Sequence, residues 1–199
     1  MGSFVVLEGL DGAGTTTQAA RLTERLEAAG HVVLRTAEPT GGPIGRLLRT
    51  TLQGGDGAAD RASLPWLFAA DRADHLARTV EPALAAGRWV VSDRYVPSSL
   101  AYQSLDRPLD LVDGLNRWFR LPDLTVFVHA PVEVCLARIA ARGEAVELFE
   151  ERETLTRIAA AYEVVLPLLE ARGARVARVD GTRSVDEVAA RIWQVVTAP

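Results

Sequence analysis

Along this chain, short runs that are apolar at every position alternate with longer stretches whose apolar side chains recur every three or four residues. Those are the signatures of buried strands and of amphipathic helices. Phe4-Val5-Val6-Leu7, within Ser3 to Glu8, is the first run, and Ala19, Ala20, Leu22 and Leu26 give Thr16 to Ala29 helical spacing before Gly30 stops it. His31 to Thr36, Arg88 to Ser92, Leu124 to Val128 and Ala174 to Val179 repeat the strand signature. Helices are predicted from Ile44 to about Leu52, from Ser63 to about Ala86 with a bend near Pro82, at about 98–105, 108–119, 131–142 and 152–172, and from Ser184 to Val196. Proline and glycine make loops of Glu38 to Pro43 and Gly54 to Gly57.

Helices lying between strands that are apolar on both faces predict an α/β fold, a parallel five-stranded sheet with helices on both faces. Ligands of such sheets sit at the C-terminal ends of the strands. The loops after Glu8, Thr36, Ser92 and Ala130 are therefore predicted to ring one crevice.

Composition narrows the picture without changing it. A length of 199 residues predicts a single domain over 1–199, and 48% apolar with 24% charged residues is ordinary for a soluble fold. A net charge of −4 argues against a nucleic-acid or membrane-surface partner. No apolar run reaches the roughly 18 residues of a membrane span, and the direct entry into strand predicts no signal peptide. Cys135 is the only cysteine, which excludes an internal disulfide, and its setting among Val134, Leu136 and Ile139 predicts a buried thiol in a reducing, cytoplasmic compartment. All 22 of the Lys plus Arg residues are arginine, so the chain contains no lysine.

That last count bears on Gly9-Leu10-Asp11-Gly12-Ala13-Gly14-Thr15-Thr16-Thr17, which stands between the first strand and the first helix. Its glycines let the backbone approach an anion, and the helix that follows aims its free N–H groups at the same point. The phosphate-loop pattern asks for Gly-x-x-x-x-Gly-Lys-Ser/Thr, and here Thr15 occupies the lysine position. A cation at the phosphates must be arginine, a metal or a group from outside. Thr16, next in the pattern, is a candidate Mg²⁺ ligand, or else a first-turn threonine saturating a backbone group. Asp93, at the end of an apolar strand, is the candidate second ligand, or else a turn aspartate. Glu8, Asp11, Glu38 and Arg94 fall on the same rim.

Six blocks in register carry a resemblance that runs from residue 4 to about 195. Glu8 to Gln18, Thr36 to Pro39, Phe68-Ala69-Ala70-Asp71-Arg72, Asp93-Arg94-Tyr95 with Ser98 and Tyr102-Gln103, Leu121 to Thr125, and Arg138 to Gly143 closely resemble the thymidylate kinase (dTMP kinase) family. The resemblance implies a P-loop nucleoside monophosphate kinase fold and transfer of the γ-phosphate of ATP to dTMP, with Mg²⁺ and ATP required. In that reading Gly9, Gly12, Ala13, Gly14, Thr15, Thr16 and Thr17 hold the ATP phosphates, and adenine lies against Arg138 and the loop containing Arg183. Phe68 stacks on thymine, where such contacts are worth roughly 1–3 kcal/mol, and Arg72, one turn further on, bonds a base carbonyl. Arg49 and Arg94 bind the dTMP phosphate, Asp11 meets the 3′-hydroxyl, Tyr102 crowds the 2′ position, and Ser98 or Ser99 approaches the base beside Glu38 and Pro39. Asp11, Arg94, Arg142 and Arg152 form the implied catalytic set, the last two from a lid at about 142–152. A homodimer is implied, with the apolar helices at 63–86 and 98–119 as its surface.

The chain departs from the family pattern at three places. Thr15 replaces the loop lysine, Ala37 stands where arginine usually precedes Glu-Pro, and Ala145-Val146-Glu147 replaces the Asp-Arg pair that commonly follows Arg-Gly-Glu. Two other readings stay open on sequence: a nucleotide-binding homologue with weak or no kinase activity, and a kinase for another nucleoside monophosphate.

Overall fold

The computed structural model describes residues 2–54, 56–142 and 148–198. Strand β1 (Phe4–Gly9) is buried along its whole length. Its two faces feed two cores, Val5 and Leu7 into one with Leu22, Leu26, Val126 and Ile139, and Phe4 and Val6 into the other with Val80, Val90, Tyr95 and Leu100. A strand apolar at every position suits only such a two-sided burial. Around it stand β2 (Val33–Ala37), β3 (Trp89–Asp93), β4 (Leu124–His129) and β5 (Val176–Asp180), all parallel, in the order β2-β3-β1-β4-β5. The sheet predicted from the periodicity is thus the observed one.

That order decides the position of the site. From β1 the chain builds β2 and β3 on one side and β4 and β5 on the other, so the connections diverge at the C-terminal end of β1. Leu7 pairs with Asp93 and Gly9 with Val128, which brings the ends of β3 and β4 beside the phosphate loop.

Helices α1 (Thr15–Ala28) and α2 (Pro43–Gln53) follow β1 and β2. The long helix expected over 63–86 is divided into α3 (Leu64–His75), a π-helical stretch Leu76–Val80, and α4 (Glu81–Ala85). Pro82 explains the division, because its ring crowds the carbonyl four residues back at Arg78 and it offers no N–H, so the wider turn falls just before the proline. After β3 come α5 (Val96–Gln103) and α6 (Leu109–Asn116), and after β4 α7 (Val132–Ala140) and α8 (Leu148–Glu170). The last helix, α9 (Val185–Val196), opens on a capping box between Ser184 and Glu187. Among the described residues no helix is long and apolar enough to cross a membrane.

Candidate active site

The phosphate loop joins β1 to α1 without any side-chain cap. Gly12 and Gly14 take φ of 83° and 102°, and Gly14 leads α1 with no side-chain cap bond and no acidic residue in the first turn. The first N–H groups of α1 therefore face outward without an internal acceptor, an arrangement made for an anion. A Cβ on Gly14 would meet nothing within 4 Å, whereas one on Gly12 would lie 2.5 Å from the Cys135 carbonyl oxygen. Gly14 borders open space and Gly12 a packed wall. Thr15 is buried and Thr17 exposed, and a Cβ on Gly9 would come within 3.2 Å of Thr15 Cγ2, so the Thr15 methyl is turned toward the strand end.

Thr16 and Asp93 come together as expected from the sequence. The Thr16 hydroxyl donates to Asp93 Oδ2 at 2.5 Å, and Asp93 Oδ1 is buried without a hydrogen-bond partner. An orphaned carboxylate oxygen beside a hydroxyl fits Mg²⁺, a hard cation that takes one or two protein oxygens and fills its octahedron with water and phosphate. No cluster of three or more His, Cys, Asp or Glu that could hold a metal occurs among the described residues.

Next to Asp93, Arg94 takes φ of 72°, alone among non-glycine residues described. The left-handed backbone is costly for arginine and turns its side chain back over the loop. Arg94 donates to the Gly9 carbonyl (3.1 Å), the Ser98 hydroxyl (3.0 Å) and Asp11 Oδ1 (2.6 Å), and lies 5.0 Å above the Tyr102 ring. Burial pulls its pKa down, but Tyr102, Asp11, Tyr162 and Glu8 more than offset that and raise it well above the usual value. The Tyr102 hydroxyl donates to Asp11 Oδ2 at 3.1 Å, and burial, chiefly, lifts its own pKa.

Glu8 lies beneath this group. Its carboxyl accepts from the Tyr95 N–H, the Ser98 hydroxyl and the Tyr162 hydroxyl, at 2.8, 2.6 and 2.9 Å. Burial pushes its pKa from 4.5 to about 6, against the opposing pull of Arg94 and these hydrogen bonds.

A cavity of about 580 Å³ gathers most of the expected acceptor site. Asp11, Glu38, Pro39, Phe68, Arg72, Arg94, Ser98, Ser99 and Tyr102 all line it. The Glu38–Pro39 peptide is cis, and Asp71 holds the loop by accepting the Thr40 N–H and hydroxyl at 2.7 and 2.6 Å. Arg72 donates to Glu38 Oε2 (2.9 Å), to the Ser99 hydroxyl (2.8 Å) and to Asn116 Oδ1.

Several expected residues lie apart from the cavity. Arg49 does not line it, and its guanidinium donates to the carbonyls of Pro39 and Thr40. Arg152 is paired with Glu133 across α7 and α8, and Arg142 is exposed just past the end of α7. Residues 143–147 of the expected lid lie outside the described residues. Arg138 fastens the phosphate loop to the strand-β5 loop, donating to the carbonyls of Ala13 (3.2 Å) and Gly181 (2.8 Å), while Arg183 pairs with Asp180 at 3.1 Å. Sequence reasoning passed over Tyr162, Asn116 and His75 as site residues. Each sits in a helix whose spacing marks only a core face, so nothing local sets it apart.

The thymidylate kinase family matches residues 7–192. A thymidylate kinase of Synechococcus sp. (strain JA-2-3B'a(2-13)) is 42% identical over 198 residues, covering 97% of this chain and 93% of the relative. Those of Solidesulfovibrio magneticus and Ruegeria pomeroyi are each 42% identical, covering 97% and 98% of this chain and 98% and 94% of theirs.

Proposed function

The chain belongs to the thymidylate kinase family, and from that premise we propose that it transfers the γ-phosphate of ATP to dTMP, giving dTDP and ADP. The observation that carries this is the cavity itself, which joins Phe68, Arg72 and Tyr102 to Asp11 of the phosphate loop and to Arg94, just past the end of β3. One oxygen of the dTMP phosphate attacks the γ-phosphorus, the bond to the β–γ bridging oxygen breaks, and ADP leaves with that electron pair. Phosphoryl transfer asks the protein mainly for alignment and for neutralised charge.

In this reading the α1 N-terminus and the glycines of the loop receive the ATP phosphates, and Arg138 with the strand-β5 loop receives adenine. Phe68 stacks on thymine, Arg72 donates to a base carbonyl, Asp11 takes the 3′-hydroxyl, and Tyr102 crowds the 2′ position. Arg94 exchanges its bond to Asp11 for the acceptor phosphate, whose charge suits a guanidinium fork. Thr16 and Asp93 would hold Mg²⁺, which when bound would supply positive charge against the phosphate oxygens. Arg142, and Arg152 once it leaves Glu133, stand in for the absent loop lysine. We place the enzyme in the cytoplasm as a homodimer.

A coupled assay with dTMP, dUMP and dCMP as acceptors tests the reading. Expected are Mg²⁺-dependent dTDP formation with dTMP preferred, a loss of roughly 10²-fold in Arg142→Ala, and a gain of similar order in Thr15→Lys, the scale of one transition-state donor. Absence of product above a no-enzyme control would remove the kinase reading. A loss in Thr15→Lys would show a site rebuilt around threonine.

A further inference from the structure

Arg72 and Glu38 are both almost completely buried and pair directly with each other. Arg72 Nε and Nη2 both approach Glu38 Oε2, at 2.9 and 2.7 Å. Nη2 also donates to the Ser99 hydroxyl, and Nη1 to Asn116 Oδ1. A guanidinium carries five N–H donors and no acceptor. With Nε on Glu38, one Nη2 proton on Ser99 and the other facing Glu38 in the ion pair, and one Nη1 proton on Asn116, the second Nη1 proton is free for the cavity that Arg72 lines. The faces of the guanidinium are taken as well, by Tyr95 at 5.0 Å and Phe119 at 5.8 Å. Its orientation is therefore set by the hydrogen bonds in its own plane.

The other oxygen of Glu38 is held by His75. His75 Nδ1 lies 3.0 Å from Glu38 Oε1, and Nε2 lies 2.7 Å from the Thr36 hydroxyl. A neutral imidazole with its proton on Nδ1 satisfies both, donating to Glu38 and accepting from Thr36. The backbone of the Glu38 loop is secured independently, by Asp71 on Thr40. What His75 controls is thus the rotation of the Glu38 carboxylate. Without it Oε1 would be buried and unpaired, and the carboxylate would turn to share both oxygens with Arg72, drawing the guanidinium from its present plane. His75 also borders a second cavity of about 530 Å³, so a smaller side chain there leaves room without forcing α3 to shift.

We propose that His75 is a positioning residue for the acceptor base: through Glu38 it fixes Arg72 so that the free Nη1 N–H of the guanidinium meets a keto oxygen at the pyrimidine 4-position. An N–H held there donates to the 4-keto oxygen of thymine and opposes the 4-amino group of cytosine, so His75 sets the preference between them. The inference rests on the kinase reading above.

Steady-state kinetics of His75→Leu, His75→Asn and Thr36→Val test it, with the wild type run first as the control on the kinase reading. Asn places an N–H donor where Nδ1 stands, and Leu offers none. Expected is a rise of about 10-fold in the KM for dTMP in His75→Leu, the scale of a lost hydrogen bond to a charged group. The ratio of kcat/KM for dTMP over dCMP falls with it, the KM for ATP does not move, Asn restores most of both quantities, and Thr36→Val shows a weaker form of the same change. An unchanged dTMP-to-dCMP ratio in His75→Leu, an equal loss toward ATP, or an Asn variant no better than Leu overturns the proposal. If the wild type forms no dTDP the kinase reading fails by itself, and calorimetric titration of dTMP and dCMP into the same proteins reads the relay instead, with the same ratio as its measure. If His75→Leu does not fold, the Asn and Thr36→Val variants decide.

Discussion

At Glu8, burial opposes hydrogen bonding, and burial wins. Its pKa rises from 4.5 to about 6 although Arg94, Ser98, Tyr162 and the Tyr95 N–H all favour the charged form. The native chain binds this proton more tightly than the unfolded chain, so Glu8's contribution to stability is full below about pH 4.5 and is lost as pH climbs through about 6. The difference of about 1.5 pKa units corresponds to about 2 kcal/mol. Denaturant unfolding across that window, compared with Glu8→Gln, isolates the residue from other carboxylates. The stability of the wild type relative to Gln is expected to fall by about that amount, and parallel curves would dismiss the effect. Glu8 was legible as a rim residue, but its partner Tyr162 lies 154 positions away in α8 and carries no local mark.

Among the elements, the strand, loop and helix at the start of the chain were the most legible, because glycine spacing and apolar periodicity mark the same turn. The structure separates glycines that look alike in sequence. Gly12 and Gly14 share a positive φ, but only Gly12 has backbone where a Cβ would go, 2.5 Å away at Cys135. A positive φ costs an alanine roughly 1 kcal/mol in either case. Gly12→Ala must also push α7 away, so its Tm is expected to fall at least roughly 2–4 °C below that of Gly14→Ala, the shift produced by each further kcal/mol at this size. Gly14→Ala is expected to weaken ATP binding instead, since its Cβ enters the open space in front of α1. Calorimetric melting and ATP titration of both variants check the contrast, and equal melting points would contradict it. The π-helical stretch before Pro82 was less legible: a proline announces an interruption, but where the extra residue is accommodated depends on how the helix packs.

For the whole molecule, the proposed homodimer has a physical correlate in side chains that the described fold leaves exposed. Trp66 on α3 is 48% exposed, Trp118 just after α6 is 81% exposed, and Leu111 on α6 is 36% exposed. Elements α3 and α6 pack together, so Trp66 and Leu111 belong to neighbouring helices. Sedimentation is expected to give twice the chain mass for the wild type and a shift toward the single chain for Trp66→Glu with Leu111→Glu. A wild-type chain that sediments alone at micromolar concentration would refute the dimer.

By itself the sequence determined the alternation of strands and helices, the parallel sheet, the crevice at the strand ends and the loop that lacks its lysine. Each follows from local pattern: apolar runs demand two-sided burial, helical spacing demands one buried face, and glycine permits the turn. Only the tertiary structure decided which charged groups meet. It set Arg72 on Glu38 and Asn116, His75 on Glu38, and Arg138 on the carbonyls of Ala13 and Gly181. It also turned Arg49 to loop carbonyls and Arg152 to Glu133. Buried polar groups must find partners wherever packing brings them, and for contacts tens of residues apart that packing, rather than spacing along the chain, selects the partner.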